Sequence, residues 1–376
     1  MKDTNLRLPA GDVANARAPL ETARSMPAGF YTSPEIFENE RRNIFLKHWF
    51  FVGRTDELPN PGDYRAFETV GGPAILIRGE DGNLRAFANF CRHRGSILLE
   101  GEGNCKRVVC PYHAWSYFID GQLYGCPDME DAEGFDRVEN GLVPIRMETW
   151  AGFVFLTFDA DAPPLLDHLG DMTERMASHR LEDMRCTWEI ELECACNWKL
   201  LLENAMETYH TGTVHRDSVG AQTSRTIETQ GDWLCIQVLS GRSIATLPGA
   251  APSFPSIAGL DEDAQQGTYF TVIHPTCQFA VAQDCMWWLN VLPRAENSTL
   301  LEIGGCFPHD AVDDPDFETK ARPYYERWEQ VGREDVSILE RQQTALQSVL
   351  YRPGPLSGRD DQVQAIGIWV LDRLGL

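Results

Sequence analysis

The stretch CRHRGSILLEGEGNCKRVVCPYH, residues 91–113, carries three cysteines and two histidines. It begins with the pair Cys91 and His93 and ends with the pair Cys110 and His113. Turn-forming glycines lie between the pairs, and short β-type runs adjoin them. Each pair is therefore expected in a short loop at the end of a strand, so that the two loops can close on one bound group.

The donor set of this stretch suits a metal. Two thiolates and two imidazoles can bind either zinc or a two-iron cluster. Here each loop supplies one cysteine and one histidine, which favours a Rieske [2Fe–2S] cluster, whose irons take two thiolates and two imidazoles. A zinc ribbon is the alternative. Cys105 and Cys126 fall outside both pairs and are expected to be ordinary thiols.

The composition argues against some classes of partner. The chain has 376 residues and a net charge of −23, so nucleic acid or an anionic membrane surface would repel it. No run reaches the roughly 18 apolar residues needed to cross a bilayer, and the polar N-terminus lacks the apolar core of a secretory signal. Eleven cysteines, an odd number, suit free thiols and metal ligands. We therefore expect a cytoplasmic protein without nucleic acid or membrane as partner.

Three regions follow from the residue pattern. Residues 1–45 predict an N-terminal arm and a helix capped by Ser33, both packing on the third region. Residues 46–160 hold short strands separated by turn residues, with two Asp-Gly hairpin signals. Residues 161–376 mix strands with helices. This order predicts an α+β protein, in which an all-β module joins an antiparallel sheet covered by helices.

The third region contains three features that later bear on the site. A helix is expected over residues 197–210, followed by several strands. A final helical stretch over about residues 316–350 should break near Pro323 and Gly332. The turn-rich segment 249–267 fits either a loop over a site or a surface excursion.

The helix expected over residues 197–210 offers a second metal site. Glu203, Glu207 and His210 would share one of its faces. His215 follows, and Gly212 can relax the backbone enough to bring it back to His210. Two histidines and one carboxylate form the facial triad of non-haem iron(II) oxygenases.

The carboxylate of such a triad must come from elsewhere in the chain. The stretch GREDVSILERQQ offers three acids: Glu334, Asp335 and Glu340. Its apolar residues predict a semi-buried helix, where an acid needs a partner such as a metal. Spacing alone does not choose among the three.

Together, C-x-H-x16-C-x-x-H at residues 91–113 and E-x-x-H-x4-H at residues 207–215 resemble the catalytic α subunit of the Rieske non-haem iron oxygenases, the ring-hydroxylating oxygenase family. The resemblance covers nearly the full length and includes N-W-K at residues 197–199. It implies a Rieske domain joined to a helix-grip catalytic domain. It also implies a mononuclear iron(II) held by His210, His215 and Asp335.

The resemblance gives Glu207 a further role. It implies a hydrogen bond from an iron-binding histidine to Glu207, and another from the cluster ligand His113 of a neighbouring subunit in a homotrimer. Electrons would come from NAD(P)H through a separate flavin or ferredoxin-type reductase, with O2 as co-substrate. Asn204 is expected to line the substrate pocket and is counted with Glu207 as a candidate catalytic residue.

The substrate class is less determined. The glutamate in E-x-Y-H resembles the carnitine, choline and betaine monooxygenase branch, which implies hydroxylation or oxidative N-demethylation of a small, N-methylated or quaternary ammonium compound. Such a substrate, if it carries a carboxylate, would need a basic group, and Arg216 or Arg242 could serve. The alternatives are hydroxylation or dihydroxylation of an aromatic acid, and a Rieske electron carrier without its own catalysis.

An aromatic wall in the pocket would suit an arene or, by cation–π attraction, a quaternary ammonium group. Trp287 and Trp288 face opposite sides of one strand, so at most one of them lines the pocket, and core packing is the plainer reading for both. The same two readings apply to Tyr269, Phe270 and Phe279.

Overall fold

The computed structural model describes residues 8–376, so the first seven residues of the predicted N-terminal arm lie outside the described part. The chain forms two compact units, one from Phe51 to Ala162 and one that combines the residues up to Phe50 with Pro163–Leu376. The domain boundaries predicted at residues 46 and 161 stay a prediction. Within the described residues, no helix is long and apolar enough to cross a membrane.

The smaller unit is built almost wholly of strands. Its strands are β1 (Phe50–Arg54), β2 (Asp63–Thr69), β3 (Gly72–Arg78), β4 (Leu84–Ala88), β5 (Glu102–Asn104), β6 (Val108–Val109), β7 (Ser116–Tyr117), β8 (Leu123–Gly125), β9 (Pro144–Trp150) and β10 (Phe153–Thr157), and a 3₁₀ turn spans Thr55–Glu57. One sheet has the order β1-β10-β9-β4-β3-β2-β5, and the other has the order β6-β7-β8. The two Asp-Gly signals lie in the β3–β4 and β7–β8 hairpins, as predicted.

The small sheet β6-β7-β8 and its loops share one apolar core with the cysteine pairs. Cys91 and Cys110 are buried in a cluster with Trp115 and Tyr117. Burial of both thiols places the ends of the two loops at a fixed position against the core.

The larger unit carries most of the helices and a second sheet. Its helices are α1 (Ala10–Ala16), α2 (Gly29–Thr32), α3 (Pro34–Glu40), α4 (Leu165–Leu169), α5 (Met172–Arg175), α6 (Trp198–Ala205), α7 (Thr211–Val214), α8 (His309–Val312), α9 (Phe317–Leu346) and α10 (Asp361–Leu374). A π-helical turn follows α3 (Arg41–Phe45), and 3₁₀ turns span Ala177–His179, Leu181–Asp183 and Ala264–Gln266. Ser33 caps α3 as predicted, because its side chain accepts from the Ile36 N–H.

The second sheet is antiparallel, with the order β11-β17-β16-β15-β14-β13-β12. Its strands are β11 (Met184–Cys194), β12 (Ser224–Ile227), β13 (Trp233–Leu239), β14 (Gly267–Ile273), β15 (Cys277–Val281), β16 (Met286–Ala295) and β17 (Ser298–Pro308). Helices α6 and α9 pack against this sheet. The predicted α+β class, with a sheet covered by helices, is confirmed.

One row of paired residues crosses this sheet and prepares the site. Strand pairing aligns Ile236, Phe270, Ala280, Trp287 and Gly305 in that order. On this face the small residues Ala280 and Gly305 therefore flank the large ring of Trp287. The gaps leave room for aromatic rings, since a Cβ on Gly305 would lie 2.0 Å from the ring of Trp328 on α9.

The helix predicted over residues 197–210 is shorter than expected. Helix α6 ends at Ala205, so Glu203 does not share a helical face with Glu207 and His210. The carboxylate of Glu207 accepts hydrogen bonds from the backbone N–H groups of Tyr209 and His210, which removes both donors from a continuing helix.

The predicted break in the last long helix is wrong, because α9 continues through Pro323 and Gly332. Ala321 and Tyr324, on either side of the proline, are buried, so tertiary packing holds the helix together there. Gly332 serves close packing instead, since a Cβ there would lie 2.8 Å from Ile303 Cδ1. Helix α10 was not predicted, although its buried Ile366, Val370 and Leu374 have helical spacing.

The turn-rich segment 249–267 does not line the cavity described below. Phe254 packs on Phe307, Phe317 and Tyr324, and the Tyr324 hydroxyl accepts from the Ser253 N–H. Of the two readings left open, the structure supports a surface excursion anchored by its own apolar residues.

Candidate metal centres

The two cysteine-histidine loops have the same backbone design. The Cys91 N–H donates to the Ser96 carbonyl, and the Gly95 N–H donates to the Cys91 carbonyl. The second loop repeats both bonds: Cys110 N–H to the Trp115 carbonyl, and Ala114 N–H to the Cys110 carbonyl. Gly95 and Ala114 hold equivalent places, and both have positive φ, +77° and +57°. The shared geometry turns both ligand pairs towards one another.

The four predicted ligands divide into a buried and an outer half. Cys91 and Cys110 are buried, whereas His93 is exposed and His113 is half-buried. The two imidazole rings lie side by side, with centroids 4.8 Å apart. The Tyr117 hydroxyl lies 3.3 Å from Cys91 Sγ, within reach of the sulfur as a hydrogen-bond donor.

This arrangement fits a two-iron cluster better than zinc. Among the described residues, one group of three or more potential ligand atoms lies within 4.8 Å of one another, and it belongs to a different site. The four loop ligands therefore do not close around one ion. A cluster needs a wider span, with sulfurs on one iron and imidazoles on the other. Cys105 and Cys126 pack against the edge of the apolar cluster instead.

The second candidate centre brings together His210, His215 and Asp335. Asp335 Oδ1 lies 3.6 Å from His210 Nε2 and 3.0 Å from His215 Nε2. The two histidine rings have centroids 5.1 Å apart and cross at 73°. Three donor atoms from α9 and from the segment around α7 thus converge on one point, as a facial triad requires.

In both histidines Nε2 points to Asp335, and the other ring nitrogen, Nδ1, contacts a second carboxylate. His210 Nδ1 lies 2.5 Å from Glu207 Oε1, and His215 Nδ1 lies 2.7 Å from Glu334 Oε2. The Ser218 hydroxyl also donates to Glu334, at 2.6 Å. These bonds leave the Nε2 atoms free to act as ligands. Although burial opposes protonation, Asp335 and Glu334 raise the pKa of His215.

The triad fits a metal on its own chemistry. Asp335 Oδ1 is buried, yet no donor reaches it with hydrogen-bond geometry. A buried carboxylate oxygen between two imidazole nitrogens is costly unless a cation satisfies it. Of the three acids that spacing left open, Glu334 binds the outer nitrogen of His215, and Glu340 accepts from the Ala195 N–H at 2.9 Å. The geometry therefore favours Asp335 as the third ligand.

The triad forms part of the wall of a cavity of about 100 Å³. Leu201, Asn204 and Ala205 line it from α6, and the sheet contributes apolar side chains of β13, β14, β16 and β17 together with Gln278 of β15. Trp287 and Phe270 line the cavity, with rings 5.6 Å apart in an edge-to-face arrangement. Three aromatics considered above do not line it: Trp288, Tyr269 and Phe279. The expectation that at most one of the two tryptophans faces the pocket is confirmed.

The basic residue at the cavity is one that the sequence did not suggest. Arg216 and Arg242 are exposed and do not line the cavity. Arg327 on α9 lines it and is 4% exposed. The sequence feature that could have indicated Arg327 is its position eight residues before Asp335, which places both residues near one face of the same helix.

Comparisons with known proteins identify two domains in the chain. The family described as the ring hydroxylating alpha subunit (catalytic domain) matches residues 181–376, and the Rieske [2Fe-2S] domain matches residues 48–140. A carnitine monooxygenase oxygenase subunit from Acinetobacter pittii is 39% identical over 198 residues, covering 52% of this chain and 53% of the relative. The match thus spans about half the length of that curated relative.

Two further relatives match over greater lengths. A glycine betaine monooxygenase oxygenase subunit from Chromohalobacter salexigens is 29% identical across 89% of this chain and 82% of its own length. A solved quaternary ammonium Rieske monooxygenase, described for carnitine oxidation by gut microbiota and inter-subunit electron transfer, is 29% identical with a TM-score of 0.82, over 98% of this chain and 99% of the other. Because the catalytic-domain match covers more than half of its residues, this chain belongs to the ring-hydroxylating oxygenase α-subunit family and carries a Rieske [2Fe-2S] domain.

Proposed function

We propose that this chain is the oxygenase component of a Rieske monooxygenase acting on small quaternary ammonium compounds, with electrons from NAD(P)H through a separate reductase. The observation that carries the proposal is the convergence of His210, His215 and Asp335 at the wall of a largely apolar cavity. The relatives named for carnitine and glycine betaine support the substrate class. A cytoplasmic location remains a prediction.

The residues divide into two ligand sets. In the proposal, Cys91, His93, Cys110 and His113 hold the [2Fe–2S] cluster, and the triad holds iron(II). When bound, the two groups supply one-electron transfer and activation of O2. An electron carrier without its own catalysis does not account for the triad or for the catalytic-domain match.

The chemistry of a quaternary ammonium substrate is simple to balance. One oxygen atom of O2 enters a C–H bond beside the charged nitrogen, and the other leaves as water with two electrons and two protons. The resulting carbinol transfers its hydroxyl proton to nitrogen as the C–N bond breaks. Attack on an N-methyl group gives formaldehyde and a tertiary amine, whereas attack on the longer chain gives trimethylamine and an aldehyde.

The residues of the chain prepare this reaction. Glu207 and Glu334 fix the orientation of both histidines by holding Nδ1. Apolar side chains of the strands line the cavity, and Phe270 and Trp287 offer aromatic surface to an ammonium group. Asn204 lines the cavity, and we propose that it contacts the substrate.

We place the electron route across a subunit boundary. Glu207 already holds His210, and its carboxylate has lone pairs left for a second donor. In the proposed homotrimer that donor is His113 of the partner subunit. The inter-subunit electron transfer described for the solved relative supports this assembly.

The decisive test is turnover with a compatible reductase, NADH and O2. L-carnitine, glycine betaine and choline are offered separately, and the released amine, the aldehyde and the consumed O2 are measured. We expect one of these substrates to give amine and aldehyde in equal amounts with one O2. Conversion of an aromatic acid to a diol, with no amine released from any quaternary compound, would overturn the proposal.

A further inference from the structure

Arg327 is a buried cation at the cavity wall without a counterion. It is 4% exposed, and among the described lining residues it is the one arginine or lysine. Its Nε is buried and has no hydrogen-bond partner. Of the carboxylates in residues 8–376, none forms an ion pair with it within 4.0 Å.

Buried cations elsewhere in the chain are paired. Lys199, fully buried in the same unit, forms an ion pair with Glu40 and lies 4.6 Å from the ring centroid of Phe30. A buried charge is costly unless it is paired. The lack of a protein counterion at Arg327 is therefore informative, because the residue lines the cavity.

The nearby acids are already engaged. Asp335 faces the two histidines, and Glu334 binds His215 and Ser218. Burial lowers the pKa of Arg327 to about 10, which still leaves the guanidinium charged at neutral pH. A permanent positive charge thus lies at the cavity wall, where Asp335 and Glu334 act on it only from beyond ion-pair distance.

Two further contacts define this part of the wall. The guanidinium carbon of Arg327 lies 4.7 Å from the ring centroid of Trp287, which restricts the orientation of the side chain. The neighbouring Trp328 also lines the cavity, and its indole N–H is buried without an acceptor. Because that indole N–H is fully enclosed, the guanidinium is the donor that can reach a ligand in the cavity, and it suits an oxygen-bearing anion.

We propose that Arg327 binds a substrate carboxylate, so that the substrate is a zwitterion with an ammonium group at one end and a carboxylate at the other. The planar guanidinium fork matches a carboxylate with two parallel hydrogen bonds. An amino alcohol such as choline lacks this group and would leave Arg327 unpaired. This inference rests on the proposed function for the ammonium end alone.

The test compares ligands that differ only in the acid. Binding of γ-butyrobetaine, its methyl ester and choline to the anaerobic holoenzyme is measured by calorimetry. We expect the acid to bind about 10–100-fold more tightly than the ester, the range for a charge-assisted pair. Equal affinity for acid and ester in the unmodified protein would overturn the inference without any variant.

Variants then assign the preference to one residue. Arg327→Gln should reduce the acid-to-ester ratio to near one, and Arg327→Lys should retain part of it. Arg322→Gln, at an exposed position on the same helix, should keep the full ratio. Cluster absorption and melting temperature check that each variant is folded. An unchanged ratio in folded Arg327→Gln would contradict the inference.

The outcomes separate the two proposals. If benzoate-type acids bind in an Arg327-dependent manner while quaternary ammonium acids neither bind nor turn over, the proposed function fails and the carboxylate contact stands. If quaternary ammonium compounds are oxidised with no dependence on Arg327 or on the acid group, the function stands and the carboxylate contact fails.

Discussion

The two candidate centres hold their histidines in opposite ways. In the loops at residues 91–113, His93 stacks on Trp115 with ring centroids 5.0 Å apart, and His113 stacks on Tyr112 at 3.7 Å. No described carboxylate oxygen lies within 4.0 Å of a ring nitrogen of His93 or His113, unlike the carboxylates beside His210 and His215. In the triad, by contrast, His210 and His215 each bind a carboxylate through Nδ1.

The difference follows from what each centre must do. A carboxylate on Nδ1 fixes the tautomer and orientation of a ligand and makes Nε2 more basic, which suits an ion that must stay bound while substrates change. Stacked and partly exposed imidazoles leave an outer nitrogen available to a partner, which suits an electron outlet. Of the two centres, only the triad lines the cavity.

The largest effect is expected when a triad ligand is removed. Asp335→Ala should lose the mononuclear iron and all oxygenase turnover, because two neutral imidazoles bind iron(II) weakly without a carboxylate. The Rieske absorption should persist, since the loops carry their own ligands. Iron analysis, cluster absorption and turnover measure the three outcomes.

Glu340→Gln is the matched control, because this acid lies on the same helix but accepts a backbone N–H from Ala195. It should keep iron and turnover. If Glu340→Gln lost the iron and Asp335→Ala kept it, the choice of Asp335 would be wrong and the comparison of the two centres would need a different triad.

The next prediction compares the two supporting carboxylates. Glu207→Gln and Glu334→Gln each remove the negative charge beside one histidine Nδ1, so both should weaken iron binding about 10–100-fold. With iron restored by excess metal, only Glu207→Gln should remain slow, because only Glu207 is proposed to receive a bond from the partner's His113.

Single-turnover oxidation of the reduced cluster checks this separation. The reduced holoenzyme with substrate is mixed with O2, and the rate of cluster reoxidation is followed by absorption. Equal rates for the two iron-loaded variants would remove the special role of Glu207 and leave both acids as positioning residues for their histidines.

Much of the site was predictable because metal ligands follow strict spacing. The two cysteine-histidine pairs and the histidines at 210 and 215 are local motifs, so a linear pattern finds them. The choice of Asp335 required the three-dimensional convergence of α9 with the loop after α6. The helix end at Ala205 was missed because the carboxylate of Glu207, which accepts hydrogen bonds from the Tyr209 and His210 N–H groups, decides it rather than helix propensity.

Arg327 is the clearest case of a cavity residue that the sequence alone could not identify. Helix α9 carries several arginines with similar neighbours in sequence, and propensity treats them alike. Burial distinguishes Arg327 from Arg322 and Arg333, and burial depends on the sheet residues that pack against the helix. Two residues of the sheet contribute to this burial from far away in the sequence. Gly305 leaves room for the ring of Trp328, and Trp287 packs against the guanidinium of Arg327.

The smallest effect is expected at the loops and tests whether sulfur contacts tune the cluster. Tyr117→Phe removes the hydroxyl that lies 3.3 Å from Cys91 Sγ and that accepts from the Arg92 N–H at 3.0 Å. A hydrogen bond to a ligand sulfur stabilises the reduced cluster, so its loss should lower the midpoint potential by about 40 mV, the equivalent of about 1 kcal/mol. A redox titration followed by circular dichroism measures the shift. Tyr124→Phe, at an exposed ring of the same unit, should leave the potential unchanged; a potential unaltered in Tyr117→Phe as well would mean that the hydroxyl does not donate to the sulfur, and that burial of the thiolates alone separates this centre from the triad.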